Sequence, residues 1–206
     1  MQITNIVKTK QGRYSLFVDE TFLFSVDDET AAQFHLKVGR PTSEEELNEI
    51  LEQSNRRKAK EKAFNLLSFK DHSKSSLIKR LKQDLPEEAA TEAAQKMQEL
   101  GLVDDQRFAF ALARDLFNIK HFAARRVLFE LTSKGIDKEL AEAAVEETKL
   151  DPTEQIEKLL TTKYKNIPHD EKGKRRLQDG LARYGYSWED IKTGLRGFFE
   201  EQEDID

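Results

Sequence analysis

The chain has 206 residues, of which 35% are charged and 37% hydrophobic, and its formal net charge is −5. This balance is too apolar for a disordered chain, and it favours thin helical units with wide solvated surfaces over one thick enzyme core. The sequence contains no cysteine, which excludes disulfides, thiolate catalysis and cysteine-ligated zinc. It shows no signal-peptide pattern after Met1 and no apolar run near the ~20 residues of a membrane span, so we expect a cytoplasmic protein.

Residues 1–50 predict a small β-containing module with short helices. Two runs rich in aromatic and β-branched residues, Arg13–Val18 and Phe22–Val26, predict strands that are joined by a turn at Asp19–Thr21. A third strand is predicted around Ile3–Val7, and Asp27 is predicted to cap a short helix. Three strands with one apolar face are about the minimum for a stable sheet and need a helix to cover them.

From Ser43 onward, the pattern predicts helices separated by short breaks. Ser43 with Glu46 three residues later is a capping box. Asp105 is predicted to cap one of the later helices, and Asp137 another. The predicted helices of the central part are Arg56–Ser68, Lys74–Leu85, Pro86–Leu100, Asp105–Leu116 and Ala123–Ser133.

Apolar residues in the middle helices recur at a spacing of fifty residues. The recurring positions are Leu77, Val127 and Leu177 and, one helical turn later, Leu81, Leu131 and Leu181. They predict a mainly α-helical protein with three tandem three-helix repeats, over residues 51–104, 105–150 and 151–206. Stacked repeats predict an elongated, curved array behind the β-containing module, and the acidic end after residue 200 is expected to be a frayed tail.

No constellation of residues in the sequence indicates catalysis. The four histidines, at positions 35, 72, 121 and 169, have no ligand spacing, and no phosphate-binding glycine loop is present. Ser73 is interpreted as a helix cap, and Asp104–Asp105 as a loop and cap in preference to a metal pair. The sequence therefore predicts no catalytic residue, no metal and no cofactor.

Basic residues recur in the middle helix of each predicted repeat. Such clusters, like the run Arg56–Lys62, are also typical of solvated helix faces. Because equivalent helices of a stack line one side, their recurrence favours a basic stripe that contacts phosphates or an acidic protein groove. The acidic net charge indicates that the main partner is a protein and not nucleic acid, because proteins that mainly bind nucleic acid are usually basic. The candidate binding residues are Lys79, Arg80, Lys82, Arg125, Arg126, Lys172, Lys174, Arg175 and Arg176.

Three stretches, Ser73–Leu81, Leu100–Ala109 and Glu130–Ile136, carry a resemblance to a known family. A DDxxFA-like segment that is followed by EL-x-x-KGI resembles the RecX regulatory proteins, which bind the RecA recombinase. The N-terminal strands look like the longer, Gram-positive form of that family. Ala123-Ala124 departs from the Gly-Pro-like pair that the family often has at this position.

The resemblance implies a modulator of RecA that lodges in, or caps, the RecA–single-stranded DNA filament, and we expect the protein to be a monomer. Such a protein is expected to limit strand exchange, ATP hydrolysis and coprotease activity, with weak direct DNA binding possible and no membrane association. It also implies tandem three-helix repeats. A nucleic-acid-binding module that acts without RecA is the alternative, and a small helical enzyme has no residue constellation in its favour.

Overall fold

The computed structural model describes residues 1–200, which form three strands followed by ten helices. The chain divides into two compact units, Met1–Val103 and the part from Asp104 onward. The predicted acidic tail, residues 201–206, lies outside the described residues. Within that described range, no helix has both the length and the apolar character needed to cross a membrane.

The first unit contains the sheet and four helices, which are β1 (Ile3–Lys8), β2 (Tyr14–Val18), β3 (Thr21–Val26), α1 (Asp28–Gln33), α2 (Glu44–Phe69), α3 (Lys74–Leu81) and α4 (Glu87–Glu99). The second unit contains six helices in its described part, which are α5 (Asp105–Asn118), α6 (Ala124–Ser133), α7 (Lys138–Thr148), α8 (Pro152–Thr162), α9 (Glu171–Arg183) and α10 (Trp188–Glu200). We call α2–α4 repeat one, α5–α7 repeat two and α8–α10 repeat three.

The three predicted strands form an antiparallel sheet in the order β1-β2-β3. The turn between β2 and β3 is shorter than predicted, because Thr21 already belongs to β3 and pairs with Val18. Asp19 and Glu20 alone make this turn, and both have positive φ, at 47° and 68°. Two left-handed residues give a turn whose twist matches that of the flanking strands.

Helix α2 covers the sheet, as the apolar strand face requires. Its first half contributes Leu47 and Ile50 to the same core as Leu16 of β2. Ser43 Oγ accepts a hydrogen bond from the Glu46 amide at 3.2 Å, as the capping box predicts. The helix then runs without a break to Phe69, so the segment predicted to begin at Arg56 is part of it.

The second half of α2 belongs to the core of repeat one. Ala59 and Ala63 are fully buried there, whereas Phe64 is 47% exposed. The predicted domain boundary after residue 50 falls inside this continuous helix. A division of the chain at residues 50, 104 and 150 stays a prediction.

The middle helix of each repeat buries both residues of the fifty-residue pattern. The six residues Leu77, Val127, Leu177, Leu81, Leu131 and Leu181 have no exposed surface. Each pair lies in the core of its own repeat. Fully burying a leucine or valine side chain stabilises the fold by about 1.5–3 kcal/mol. The repeat inferred from sequence is therefore confirmed at its most buried positions.

The spacing from the second buried leucine of the middle helix to the start of the third helix is one residue greater in repeats two and three than in repeat one. Gly135 and Gly185 take positive φ values of 75° and 94° there. The next residue in each turn then donates its amide back to the middle helix, over 3.2 Å in repeat two and 3.3 Å in repeat three. In repeat one, α3 ends at Leu81, not at Leu85 as predicted, and Pro86 is the N-cap of α4. The N-cap of the third helix, Pro86 in repeat one and Asp137 in repeat two, is therefore offset by one residue from the fifty-residue period.

Two further predicted helix starts shift slightly. Asp104, not Asp105, caps α5, because its carboxylate accepts from the Arg107 amide at 2.9 Å. Helix α9 begins at Glu171, so Gly173 lies in its first turn and not in the preceding connection. Asp137 and Ser73 cap their helices as predicted.

Repeats two and three meet through the turns that end α5 and α9. The Ala123 amide donates to the Tyr184 carbonyl at 3.0 Å, and the Tyr186 hydroxyl donates to the His121 carbonyl at 2.8 Å. Gly185 lies against α6 so closely that a Cβ there would be 2.6 Å from Arg126 Cβ and 3.0 Å from its backbone nitrogen. The contact therefore requires glycine both for its positive φ and for its lack of a side chain.

Replacing this glycine tests the contact. We expect Gly185→Ala to lower the free energy of unfolding by more than Gly101→Ala, measured by urea denaturation. Both positions have positive φ, which costs alanine about 1–2 kcal/mol. A Cβ at Gly101 meets open space, whereas at Gly185 it adds a steric clash of about 1–3 kcal/mol. Equal losses in the two variants would show that the close approach to Arg126 contributes nothing.

Candidate functional site

The basic candidates of repeat one lie at the end of α3. Lys79 and Arg80 are exposed in the last turn, and Lys82 follows as the C-cap. The Lys82 ammonium pairs with Glu87 at 2.7 Å, and the Arg80 guanidinium donates to Gln83. These two charges are partly engaged within the repeat, while Lys79 has no ion pair with another residue in the described range.

The candidates of repeats two and three are fifty residues apart and lie near the start of their helices. Arg125 and Arg126 are in the first turn of α6, and Arg175 and Arg176 lie in the early part of α9. The equivalent positions of α3 are serines, so the cluster of repeat one lies at the opposite end of its helix. The recurrence therefore holds for the helix that carries the charges, and for the position within the helix only in repeats two and three.

Arg126 is part of the packing between repeats two and three. Its guanidinium forms an ion pair with Glu130 at 2.6 Å and lies 5.6 Å and 5.3 Å from the ring centroids of Phe122 and Phe129. Cation–π contacts of this kind stabilise by about 0.5–1 kcal/mol at exposed sites and more when desolvated. These contacts, together with the close approach of Gly185, hold the side chain in one place.

The packing around Arg126 continues into repeat three. The Phe122 ring meets Tyr184 edge-on at 5.4 Å, and the Lys163 ammonium lies 4.5 Å from the Tyr184 ring centroid. Lys163 also donates to the Tyr184 hydroxyl at 2.6 Å, and this hydrogen bond is the main cause that raises the pKa of Lys163. A continuous row of cations and aromatic rings thus connects α6 with the end of α8.

An open groove lies where the start of α6 faces the end of α9. We call it the arginine groove, and its lining residues are Arg125, Arg126, Phe129, Ala182, Arg183, Gly185 and Tyr186. Arg125 and Arg183 are exposed and have no ion pair with another described residue. The Phe129 ring is 58% exposed. The structure therefore combines two predicted candidates with an arginine and a phenylalanine that sequence reasoning missed.

The remaining candidates occupy the first half of α9. Lys172, Arg175 and Arg176 are exposed and stand three and four residues apart, so they share one face of the helix. Lys174 is half-buried. Arg183 follows Arg176 by two helical turns, and this spacing is the sequence signal that could have identified it.

The basic run at the centre of α2 is different, because its charges are largely paired within the first unit. Arg56 pairs with Glu92 at 3.1 Å, Arg57 pairs with Glu29, and Lys62 pairs with Asp84. The hydrogen bond and charge of Lys62 lower the pKa of Asp84. This run matches a solvated helix face with local ion pairs, which is the alternative that its sequence left open. Among the described residues, no three metal-ligating side chains cluster as a cation site.

Two family models match parts of the chain. The model of the second three-helix domain of RecX matches residues 104–145, which contain α5, α6 and most of α7 of repeat two. The model of the N-terminal domain of the regulatory protein RecX matches residues 1–41, which contain the sheet.

Related proteins extend the similarity beyond these two segments. A regulatory protein RecX from Listeria welshimeri is 31% identical over 201 residues, which cover 94% of this chain and 74% of the relative. One from Lactobacillus delbrueckii is 32% identical over 137 residues, and the chain spans about half, 51%, of that longer relative. A crystal structure of regulatory protein RecX superposes with a TM-score of 0.59 at 25% identity, and the match covers 98% of this chain and 99% of that one.

The Tyr186 phenol at the arginine groove yields a pH-dependent prediction. Burial, with smaller contributions from Asp190 and Tyr184, raises the pKa of Tyr186 above its ordinary value of 10.0. The folded state therefore favours the neutral phenol, and this stabilisation is present below pH 10 and is lost as the pH rises further.

We expect the free energy of unfolding of the unmodified chain to fall above pH 10 by up to about 1.4 kcal/mol per pH unit more than that of Tyr186→Phe. At pH 7 the same variant should lose about 0.5–1.5 kcal/mol, because the hydrogen bond to the His121 carbonyl is removed. Urea denaturation across this pH range measures both effects. Parallel pH profiles would contradict the assignment of a buried neutral phenol.

Proposed function

This chain belongs to the RecX family of regulatory proteins, and we propose that it binds the RecA–single-stranded DNA filament and limits its activities. Members of this family modulate RecA and are regulatory proteins, not enzymes. The activities that we propose to be limited are ATP hydrolysis, strand exchange and coprotease cleavage in recombination and DNA repair. We also propose that the protein acts in the cytoplasm, where the filament forms, and that it is a monomer.

The exposed basic residues of the middle helices support this proposal. Arg125 of α6 and Arg175 of α9 occupy equivalent positions, and Arg176 follows Arg175. None of the three has an ion pair within the described range. An arginine without an internal partner keeps its full charge for an external phosphate or carboxylate. We propose that these residues contact the filament, together with Arg126, Lys172 and Lys174 of the same unit and with Lys79, Arg80 and Lys82 of the first unit.

A nucleic-acid-binding module that works without RecA is the second candidate. The same exposed arginines favour it. The net charge of −5 argues against it, because proteins that act mainly by holding nucleic acid are generally basic. A RecA regulator should change the rate of ATP hydrolysis by RecA at protein concentrations too low for binding to DNA without RecA. A module that binds only nucleic acid should not.

The ATPase activity of RecA on single-stranded DNA tests the proposal directly. We expect addition of this protein at up to equimolar ratio to RecA to lower the steady-state rate of ATP hydrolysis, because the bound protein restrains the filament. An unchanged rate throughout this titration, at a salt concentration that suppresses binding to bare DNA, would contradict RecA regulation.

Charge reversal tests the proposed surface. We expect Arg125→Glu to weaken filament binding roughly tenfold, which corresponds to about 1.4 kcal/mol, with helical content unchanged by circular dichroism. Arg175→Glu with Arg176→Glu should weaken it further. Lys192→Glu is the matched control, because this exposed lysine of α10 carries the same charge outside the proposed surface. Reversal of Arg126 is avoided, because it would also disrupt the contacts with Phe122 and Glu130. Equal binding by Arg125→Glu and Lys192→Glu would exclude Arg125 from the interface.

A further inference from the structure

We infer that the arginine groove between repeats two and three binds a single strand of nucleic acid, with phosphates at Arg125 and Arg183 and a base stacked on Phe129. This inference deepens the proposed function and rests on it, since the filament contains such a strand. It names the ligand of one defined site, and the binding can be measured without RecA.

The charge in the groove is available to an external ligand. Arg125 and Arg183 come from different repeats, are exposed, and have no ion pair with another described residue. The nearest carboxylate on α6, Glu130, already pairs with Arg126 at 2.6 Å. Two free guanidinium groups therefore face the groove, and their planar arrays of donors match the oxygens of a phosphodiester.

The exposed ring beside these arginines provides a second recognition element. Phe129 is 58% exposed although it belongs to a short helix whose Val127 and Leu131 are fully buried. The Arg126 guanidinium lies 5.3 Å from its ring centroid and fixes its position, while a large part of the ring stays in contact with solvent. An aromatic ring next to cationic side chains is the pattern that sequence-independent single-strand binders use, with bases on the ring and phosphates on the cations.

The combination of features favours a single nucleic acid strand over the other anionic ligands. An acidic polypeptide would neutralise the arginines but would have no base to stack on Phe129. A duplex would supply phosphates, but its bases are already stacked on one another inside the helix and cannot cover the ring. A single strand satisfies both the charges and the ring.

Arg126 is a positioning residue in this site. Its guanidinium contacts Phe122, Phe129 and Glu130, and Gly185 approaches its Cβ. Arg126 therefore fixes the position of the Phe129 ring and of the turn that follows α9. Arg125 is the adjacent exposed residue on the same helix, and it carries the ligand contact.

Fluorescence anisotropy of a labelled oligo-dT strand, with the full chain and no RecA, tests the inference. We expect Arg125→Glu with Arg183→Glu to weaken binding at least tenfold. The negative slope of log affinity against log salt should become shallower by about 1.4, because two phosphate contacts are lost and each contributes about 0.7. Lys192→Glu with Arg196→Glu reverses two exposed charges of α10 outside the groove and should change affinity less than twofold.

The aromatic contact is tested separately. Phe129→Ala should weaken binding of oligo-dT several-fold and leave the salt slope unchanged, because it removes stacking and no charge. A strand with abasic sites should bind the unmodified protein more weakly, and Phe129→Ala should then cause little further loss. Thermal unfolding of each variant identifies any loss that comes from misfolding, and the salt slope separates the two contact types independently of overall affinity.

Several results would overturn the inference. Equal weakening by the groove variant and the α10 control would show that affinity depends on net charge alone. Displacement of oligo-dT by duplex or by polyglutamate as effectively as by unlabelled single strand would identify a general anion site. A protein that lowers RecA ATP hydrolysis but does not bind oligo-dT would retain the proposed function and refute this groove. Binding of oligo-dT through the groove without any effect on RecA would support the groove and refute the proposed function.

Discussion

Two aliphatic side chains, one helical turn apart on the middle helix, hold each three-helix repeat together. Their side chains are fully buried in all three repeats, at positions that recur with the fifty-residue period, such as Leu81 and Leu131. Apart from α2, the helices of the repeats have 8–14 residues. Helices this short are marginal in isolation, so their stability must come from burying a shared apolar face. Once this face is buried, the opposite side of the middle helix is left in solvent, where its basic residues lie.

The left-handed glycine after the middle helix determines how repeats two and three join. At Gly185 the backbone turns sharply enough for Tyr186 to donate to the amide carbonyl of His121, and the missing Cβ lets this turn approach Arg126. That approach forms one wall of the arginine groove. Stability and the proposed binding are therefore linked at this turn, because the residue that permits the contact between the repeats also places Arg183 in the groove with Arg125.

The arginines of the chain differ in function according to their internal partners. Those of α2, such as Arg56, pair with carboxylates of their own unit, and surface pairs of this kind contribute little stability. Arg126 is held by rings and by Glu130 and braces a junction between repeats. Arg125 has no such partner in the described range. The proposed contact with the filament uses charge of this last kind, and the net acidic charge of the chain disfavours non-specific binding to nucleic acid.

The sequence by itself determined the elements that depend on local periodicity and caps. These are the three strands, most helix starts, the repeated buried residues and the family, because a buried face and a helix cap leave signals within a few residues. It misplaced the end of α3 and it divided α2, because the point at which a helix ends depends on what packs against it. Only the tertiary structure decided which arginines are neutralised and that Arg183 and Phe129 join Arg125, because ion pairs and grooves bring together residues that are distant along the chain.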